Sequence, residues 1–141
     1  MHATRFALIL ICAAITGCGS GGPFNYVKVS GKVSYDDGSP IPNISALRLR
    51  FAPLDPPKVE GATPRPAYAR LDETGAFDCA TSYKYGDGLI PGKHKVAIET
   101  SNGPDNKLPV PKEYQSISTT LIEIDTANSP LEIKVPKPKA K

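Results

Sequence analysis

The chain has no tryptophan, a single methionine, two histidines and three cysteines in 141 residues, and aromatic residues make up only 7% of it. Without indole rings, the broad stacking platform that suits a sugar ring has to come from tyrosine or be absent. Of the two histidines, only His94 lies beyond the first few residues, so a histidine-built metal or acid–base site lacks its second partner. HExxH, GxSxG, CxxC and GxxxxGK[ST] are all missing, and Gly86 and Gly88 are too isolated to form a phosphate loop. These absences argue against an enzyme and against a bound cofactor. The formal net charge of +3 is too small an excess to argue for nucleic acid. No helical stripe competes anywhere after the first residues, and no repeat recurs at a fixed period.

What is present begins at the N-terminus. Arg5 is followed by Phe6–Ile15, an uncharged apolar run that is about half the roughly 20 residues a spanning helix needs. Such a run suits the hydrophobic region of an export signal. It leads into Ile15-Thr16-Gly17-Cys18, which resembles the lipobox of bacterial lipoproteins, with Ile15 where Leu is usual. The resemblance implies that residues 1–17 are a signal peptide, that the chain is cut before Cys18, and that Cys18 is acylated. Two or three acyl chains, at about 0.8 kcal/mol per buried CH₂, hold a small domain on a bilayer where one would not. Cys12 then leaves with the signal, Cys18 carries lipid, and Cys79 has no cysteine left to pair with. Residues 18–25, rich in glycine, read as a flexible tether. Gly19 in place of Asp after Cys18 favours, by the same resemblance, the outer membrane.

From Tyr26 the hydrophobic period is two. Val27, Val29, Val33 and Tyr35 alternate with lysine and serine, and Asp36-Asp37-Gly38-Ser39-Pro40 then supplies turn chemistry. Leu47, Leu49 and Phe51 point inward on a second strand, with Arg48 and Arg50 outward. Five prolines between 53 and 66 predict an exposed, partly extended loop. Tyr68–Leu71 and Ala76–Ala80 flank Asp72-Glu73-Thr74-Gly75 as a hairpin, with Phe77 and Cys79 on its inner face. Lys93–Glu99 carries His94, Val96 and Ile98 inward; Thr119–Ile124 and Leu131–Val135 follow, and residues 137–141 form a basic tail. Fifteen prolines and twelve glycines suit short strands and many turns. About seven such strands predict an all-β fold, an antiparallel β-sandwich spanning residues 26–136.

The order of these pieces resembles the carboxypeptidase regulatory-like domain, a transthyretin-like sandwich. The matching segments are 29–35 (VSGKVSY), 37–42 (DGSPIP), 47–53 (LRLRFAP), 71–77 (LDETGAF), 88–98 (GLIPGKHKVAI) and 110–114 (VPKEY), which together cover most of residues 27–135. The strand after Pro91-Gly92 usually carries Tyr where this chain has His94. The resemblance implies a scaffold and an accessory role. The catalytic domain that accompanies it in carboxypeptidases is absent, and transthyretin-like hydrolases use several histidines.

Each candidate site stands beside a plainer reading. His94 reads as structural, and Cys79 as a small buried hydrophobe. The acidic turns at 36–38 and 72–75 hold too few oxygens to make a Ca²⁺ site alone. Lys28 or Lys32 with Asn128 would form an isopeptide bond only if the lysines left the solvent face. Tyr83 and Tyr85, beside a glycine-rich turn, are the best binding candidates, with strand-framing tyrosines as the bland alternative. The chain is therefore read as a non-catalytic, lipid-anchored cell-envelope protein. Its partners would be the membrane, through the anchor, and an envelope protein or polysaccharide met by loops 53–66 and 101–118. The alternative is a carbohydrate-binding or envelope-polymer-binding module.

Overall fold

In a computed structural model of the chain, residues 22–100 and 107–139 are described. The expected signal peptide (1–17), Cys18 and the first residues of the expected tether, residues 101–106 and residues 140–141 lie outside them. The described chain is all-β, with seven strands and only single-turn 3₁₀ helices between them. The strands are β1 (Gly31–Tyr35), β2 (Leu47–Pro53), β3 (Ala67–Arg70), β4 (Ala76–Phe77), β5 (Lys93–Thr100), β6 (Glu123–Asp125) and β7 (Leu131–Val135). They form two sheets, in the orders β4-β1-β7 and β3-β2-β5-β6. No helix among the described residues is long and apolar enough to cross a membrane.

The alternation in sequence sets which face each strand buries. Leu47, Leu49 and Phe51 are buried on β2, and Leu131, Ile133 and Val135 on β7, while Glu132 and Lys134 face solvent. Both sheets contribute to one apolar core. At its centre, Phe51 of one sheet meets Phe77 of the other, with ring centroids 6.1 Å apart and planes tilted by 54°. This is the offset geometry that aromatic quadrupoles favour. Outside the core, Arg48 and Glu99 are opposite one another on β2 and β5, and Arg48 donates to Glu99 Oε1 from both Nε and Nη2, at 3.1 and 2.8 Å. The same guanidinium lies 4.4 Å from the centre of the Tyr68 ring. The arginines thus point outward as their phase requires, but both are partly covered, and Glu99 is buried.

Several expectations need correction. The antiparallel reading fails at one pair: β1 and β7 run parallel over their full five residues, Gly31 opposite Leu131 and Tyr35 opposite Val135. A parallel pair requires a crossover connection, and here the whole intervening chain supplies it. The 72–75 turn exists, closed by Gly75 N–H to the Asp72 carbonyl at 3.0 Å. Its arms nevertheless join different sheets: β3 pairs with β2, and β4 with β1. Asp72 N–H to the Ala76 carbonyl, at 2.9 Å, and the bridge between Tyr68 and Thr81 link them as a hairpin would. Val27 is 37% exposed rather than inward, because it pairs with Leu89 instead of continuing β1. Cys79 is half-buried, not within the sealed core. At the other end of the chain, the expected strand at 119–124 is displaced toward its C-terminus. The Thr120 hydroxyl donates to the Val96 carbonyl at 2.6 Å, and Val96 N–H donates to the Ile122 carbonyl at 3.0 Å, so a side chain takes one of the ladder's places.

Residues 22–25, which composition places in a flexible stretch, are described, and part of them is buried. From Gly22 the chain is packed: Phe24 is 6% exposed, and Val27 exchanges two backbone hydrogen bonds with Leu89, at 2.8 and 3.0 Å. That contact depends on Gly88, whose φ is +107° and whose added Cβ would lie 2.0 Å from the Val27 carbonyl oxygen. Gly88→Ala is expected to destabilise the fold by about 1–3 kcal/mol or more, since backbone conformation and overpacking both oppose it. Gly38 has a similar φ of +81° but open space around it. In urea unfolding, Gly38→Ala is expected to cost only the backbone share, about 1 kcal/mol. Equal losses in the two variants would show that the close approach at Gly88 contributes nothing.

Candidate functional site

The loop that carries Tyr83 and Tyr85 is fixed at both ends and in the middle. Thr81 exchanges backbone hydrogen bonds with Tyr68 of β3, at 2.8 and 3.0 Å. At the far end, Gly88 N–H donates to the Ala80 carbonyl at 3.0 Å, and Leu89 is tied to Val27. Inside the loop the Asp87 carboxylate accepts three backbone N–H groups, from Ser82 at 2.8 Å, Tyr83 at 2.9 Å and Lys84 at 2.8 Å. The Thr81 hydroxyl accepts Gly86 N–H at 3.0 Å, and the Ser82 hydroxyl donates to the Gly88 carbonyl at 2.6 Å. A short polar sequence thereby becomes a rigid mount, because its side chains take the backbone donors and acceptors that a ladder would otherwise satisfy.

This mount places Tyr83 in a cluster that the sequence did not reveal. The Arg65 guanidinium stands 5.2 Å from the centre of the Tyr83 ring, within cation–π range. The N-terminal arm also runs past the ring: a Cβ on Gly22 would come within 2.8 Å of the Tyr83 ring and 3.0 Å of the Tyr26 ring. Phe24, Tyr26, Arg65 and Tyr83, with Gly61–Thr63, enclose a concavity of about 270 Å³. Burial, and next the negative charge of Asp87, push the Tyr26 phenol above its ordinary pKa, with the positive charge of Arg65 opposing them. A second concavity, about 660 Å³, lies across the arm between Phe24, residues 55–59 and Ile90. Tyr85 takes no part in the enclosure and is 90% exposed. Of the two tyrosines singled out from sequence, one is built into a cluster and the other is displayed beside it.

Arg65 lies between Pro64 and Pro66, whose rings fix the local φ. A charge held on a stiffened loop was the available signal for it; Tyr26 and Gly22 had none, since their role depends on where the arm docks.

The remaining candidates have local partners. Asp72 accepts from Thr74 N–H, the Thr74 hydroxyl and Ala76 N–H, at 2.8, 2.7 and 2.9 Å, and these bonds hold its pKa below the ordinary carboxylate value. Asp37 is held lower still by Lys137, whose Nζ lies 2.6 Å away, and by Ser39. Asp72 is engaged within its own turn, and Asp37 both by its turn and by Lys137 near the C-terminus. Among the described residues no group of three or more His, Cys, Asp or Glu is placed to hold a metal ion. Lys28 and Lys32 are both exposed. A further concavity, about 700 Å³ between Gly31, Arg70, Phe77 and Leu131, mixes Lys32 and Arg70 with Asp72, Asp78 and Glu132 around an apolar floor. His94 is 2% exposed, its Nδ1 3.2 Å from the Gly92 carbonyl oxygen.

Compared with protein-family models, with curated proteins and with solved structures, the chain finds no match.

Two outcomes follow from this geometry. Asp87→Ala is expected to lower stability by about 1–2 kcal/mol and to speed amide exchange at Ser82, Tyr83 and Lys84 selectively. Unchanged exchange there would mean that the carboxylate does not hold the loop. For His94, burial depresses the pKa, with the Gly92 carbonyl and the charge of Asp125 only partly opposing it. The unfolded chain therefore binds the proton first as pH falls. Stability from this group is complete above the ordinary imidazole value near 6.5 and is lost as pH drops through the lower folded value. His94→Phe is expected to flatten that region of the stability profile in denaturant titrations at successive pH; an identical slope would assign the acid sensitivity elsewhere.

Proposed function

We propose that the chain is a lipid-anchored protein of the cell envelope, whose two sheets form a transthyretin-like sandwich serving as a non-catalytic interaction or structural module. The carrying observation is the run from Phe6 to Cys18, followed after only three further residues by chain that is already packed at Gly22. An export signal followed by an acylated cysteine explains an apolar run too short to span a bilayer. It also explains the glycine-rich stretch directly after it. The resemblance of segments 29–35, 47–53, 71–77 and 88–98 to carboxypeptidase regulatory-like domains supports the accessory role, and the absence of a catalytic motif in the sequence agrees with it. Gly19 favours delivery to the outer membrane. In this reading the rigid sheets are the support, and the loops, chiefly 53–66, are the contact surface.

A second reading is a module for envelope polysaccharide. It is favoured by one arrangement, the Tyr83 ring with Arg65 above it and Tyr85 exposed nearby, which offers aromatic faces and a hydrogen-bonding cation to a sugar.

The test of the first reading is Cys18→Ala. The wild-type protein is expected to incorporate labelled palmitate and to sediment with membranes, whereas the variant incorporates none and is recovered in the soluble fraction. A wild-type protein that takes up no label overturns the anchor.

A further inference from the structure

We infer that the pole around the N-terminal arm is itself a membrane-contacting surface, which seats the domain in the headgroup layer of a phospholipid bilayer in one orientation. The inference rests on the lipid-anchor reading and adds to it a specific face. Among the described residues the exposed large apolar side chains are Val27, Leu54, Val59, Tyr83, Tyr85 and Leu121. All but Leu121 belong to the arm or to the two loops that flank it, 53–66 and 81–91. Both loops border the arm, since Phe24 lines one concavity with residues 55–59 and Ile90 and another with Arg65 and Tyr83.

The length of chain outside the structure identifies the occupant. Cys18 is four residues from Gly22, and four residues span at most about 14 Å. Gly22 itself lies close against the Tyr83 and Tyr26 rings, so the free length is counted from there. An acylated Cys18 therefore holds these tyrosines close to the lipid surface whichever way the domain leans. Tyrosine is suited to that layer, with an apolar ring for the acyl boundary and a hydroxyl for the wet side. Tyr85, 90% exposed on a loop clamped by Asp87, is presented for such insertion. The basic groups of this pole, Lys58, Arg65 and Lys84, are matched by Asp55, Glu60 and Asp87, so contact relies on ring insertion rather than on anionic lipid.

The mature, acylated protein is reconstituted into phosphatidylcholine vesicles, with and without lipid brominated near the headgroup end of its acyl chains. Tyrosine emission is recorded, and flotation is measured on the same samples. With no tryptophan present, the six tyrosines are the intrinsic signal. Bromine is expected to remove up to about a third of the emission, the share of two rings in six, with no dependence on added salt. Tyr85→Ser is expected to lose about half of that quenching while floating normally. Protein that floats but ignores bromine leaves the anchor standing and overturns the seated pole. Protein that does not float overturns the anchor, and the seated pole with it. Emission that responds to a soluble peptidoglycan fragment and not to bromine reassigns the pole to glycan.

Discussion

The pairing of the first strand with the last constrains everything between them. Gly31–Tyr35 lies parallel to Leu131–Val135, so residues 36–130 form one long connection that must return to its starting edge. The pairing is tight as well as distant. A Cβ on Gly31 would lie 2.3 Å from the Leu131 carbonyl oxygen, and Leu131 N–H donates to the Ser30 carbonyl at 2.7 Å. Side chains reinforce it, with Ser30 N–H donating to the Ser129 hydroxyl at 3.1 Å and Lys134 Nζ donating to the Ser34 hydroxyl at 2.9 Å. A contact of such long sequence separation carries a large loop-closure entropy. Its cost is offset only in company with the core that both sheets share.

This constraint explains what could be read from the residues in order. Alternation identifies the buried face of a strand, and it did so for Leu47, Leu49 and Phe51, and for Leu131, Ile133 and Val135. It carries no information about the neighbour. The turn at 72–75 has hairpin chemistry, yet its arms diverge, β4 to β1 and β3 to β2; the turn residues would be the same in either case. Val27 continued the apolar phase of Val29 and Val33 but faces outward, because the chain bends to reach Leu89 before β1 begins. Glycine-rich composition at 19–22 suggested slack, whereas Gly22 is small because two rings approach it.

The tyrosine site shows the same division. Tyr83 and Tyr85 were visible as aromatic residues beside turn glycines. Their different fates were not, since they depend on Asp87, a residue that reads as an ordinary turn acid, and on Arg65, which arrives from another loop. In this chain short polar side chains repeatedly stand in for backbone partners: Asp87 in its loop, Asp72 in its turn, Thr120 against Val96. A fold with strands this brief leaves many loop amides without a ladder, and these residues are how they are satisfied.

The parallel pair also fixes how the molecule responds to load. Because β1 and β7 share a direction, the chain enters at the end where both begin and leaves at the end where both finish. There Lys137 reaches Asp37 and lies 5.5 Å from the Tyr35 ring centre. A pull applied between the two termini runs along the strands and strains all the rungs between them together, in shear. A hairpin pulled from its open end would instead unzip, each rung breaking in turn. The two ends of this domain are thus joined through a five-residue ladder that such a pull loads all at once.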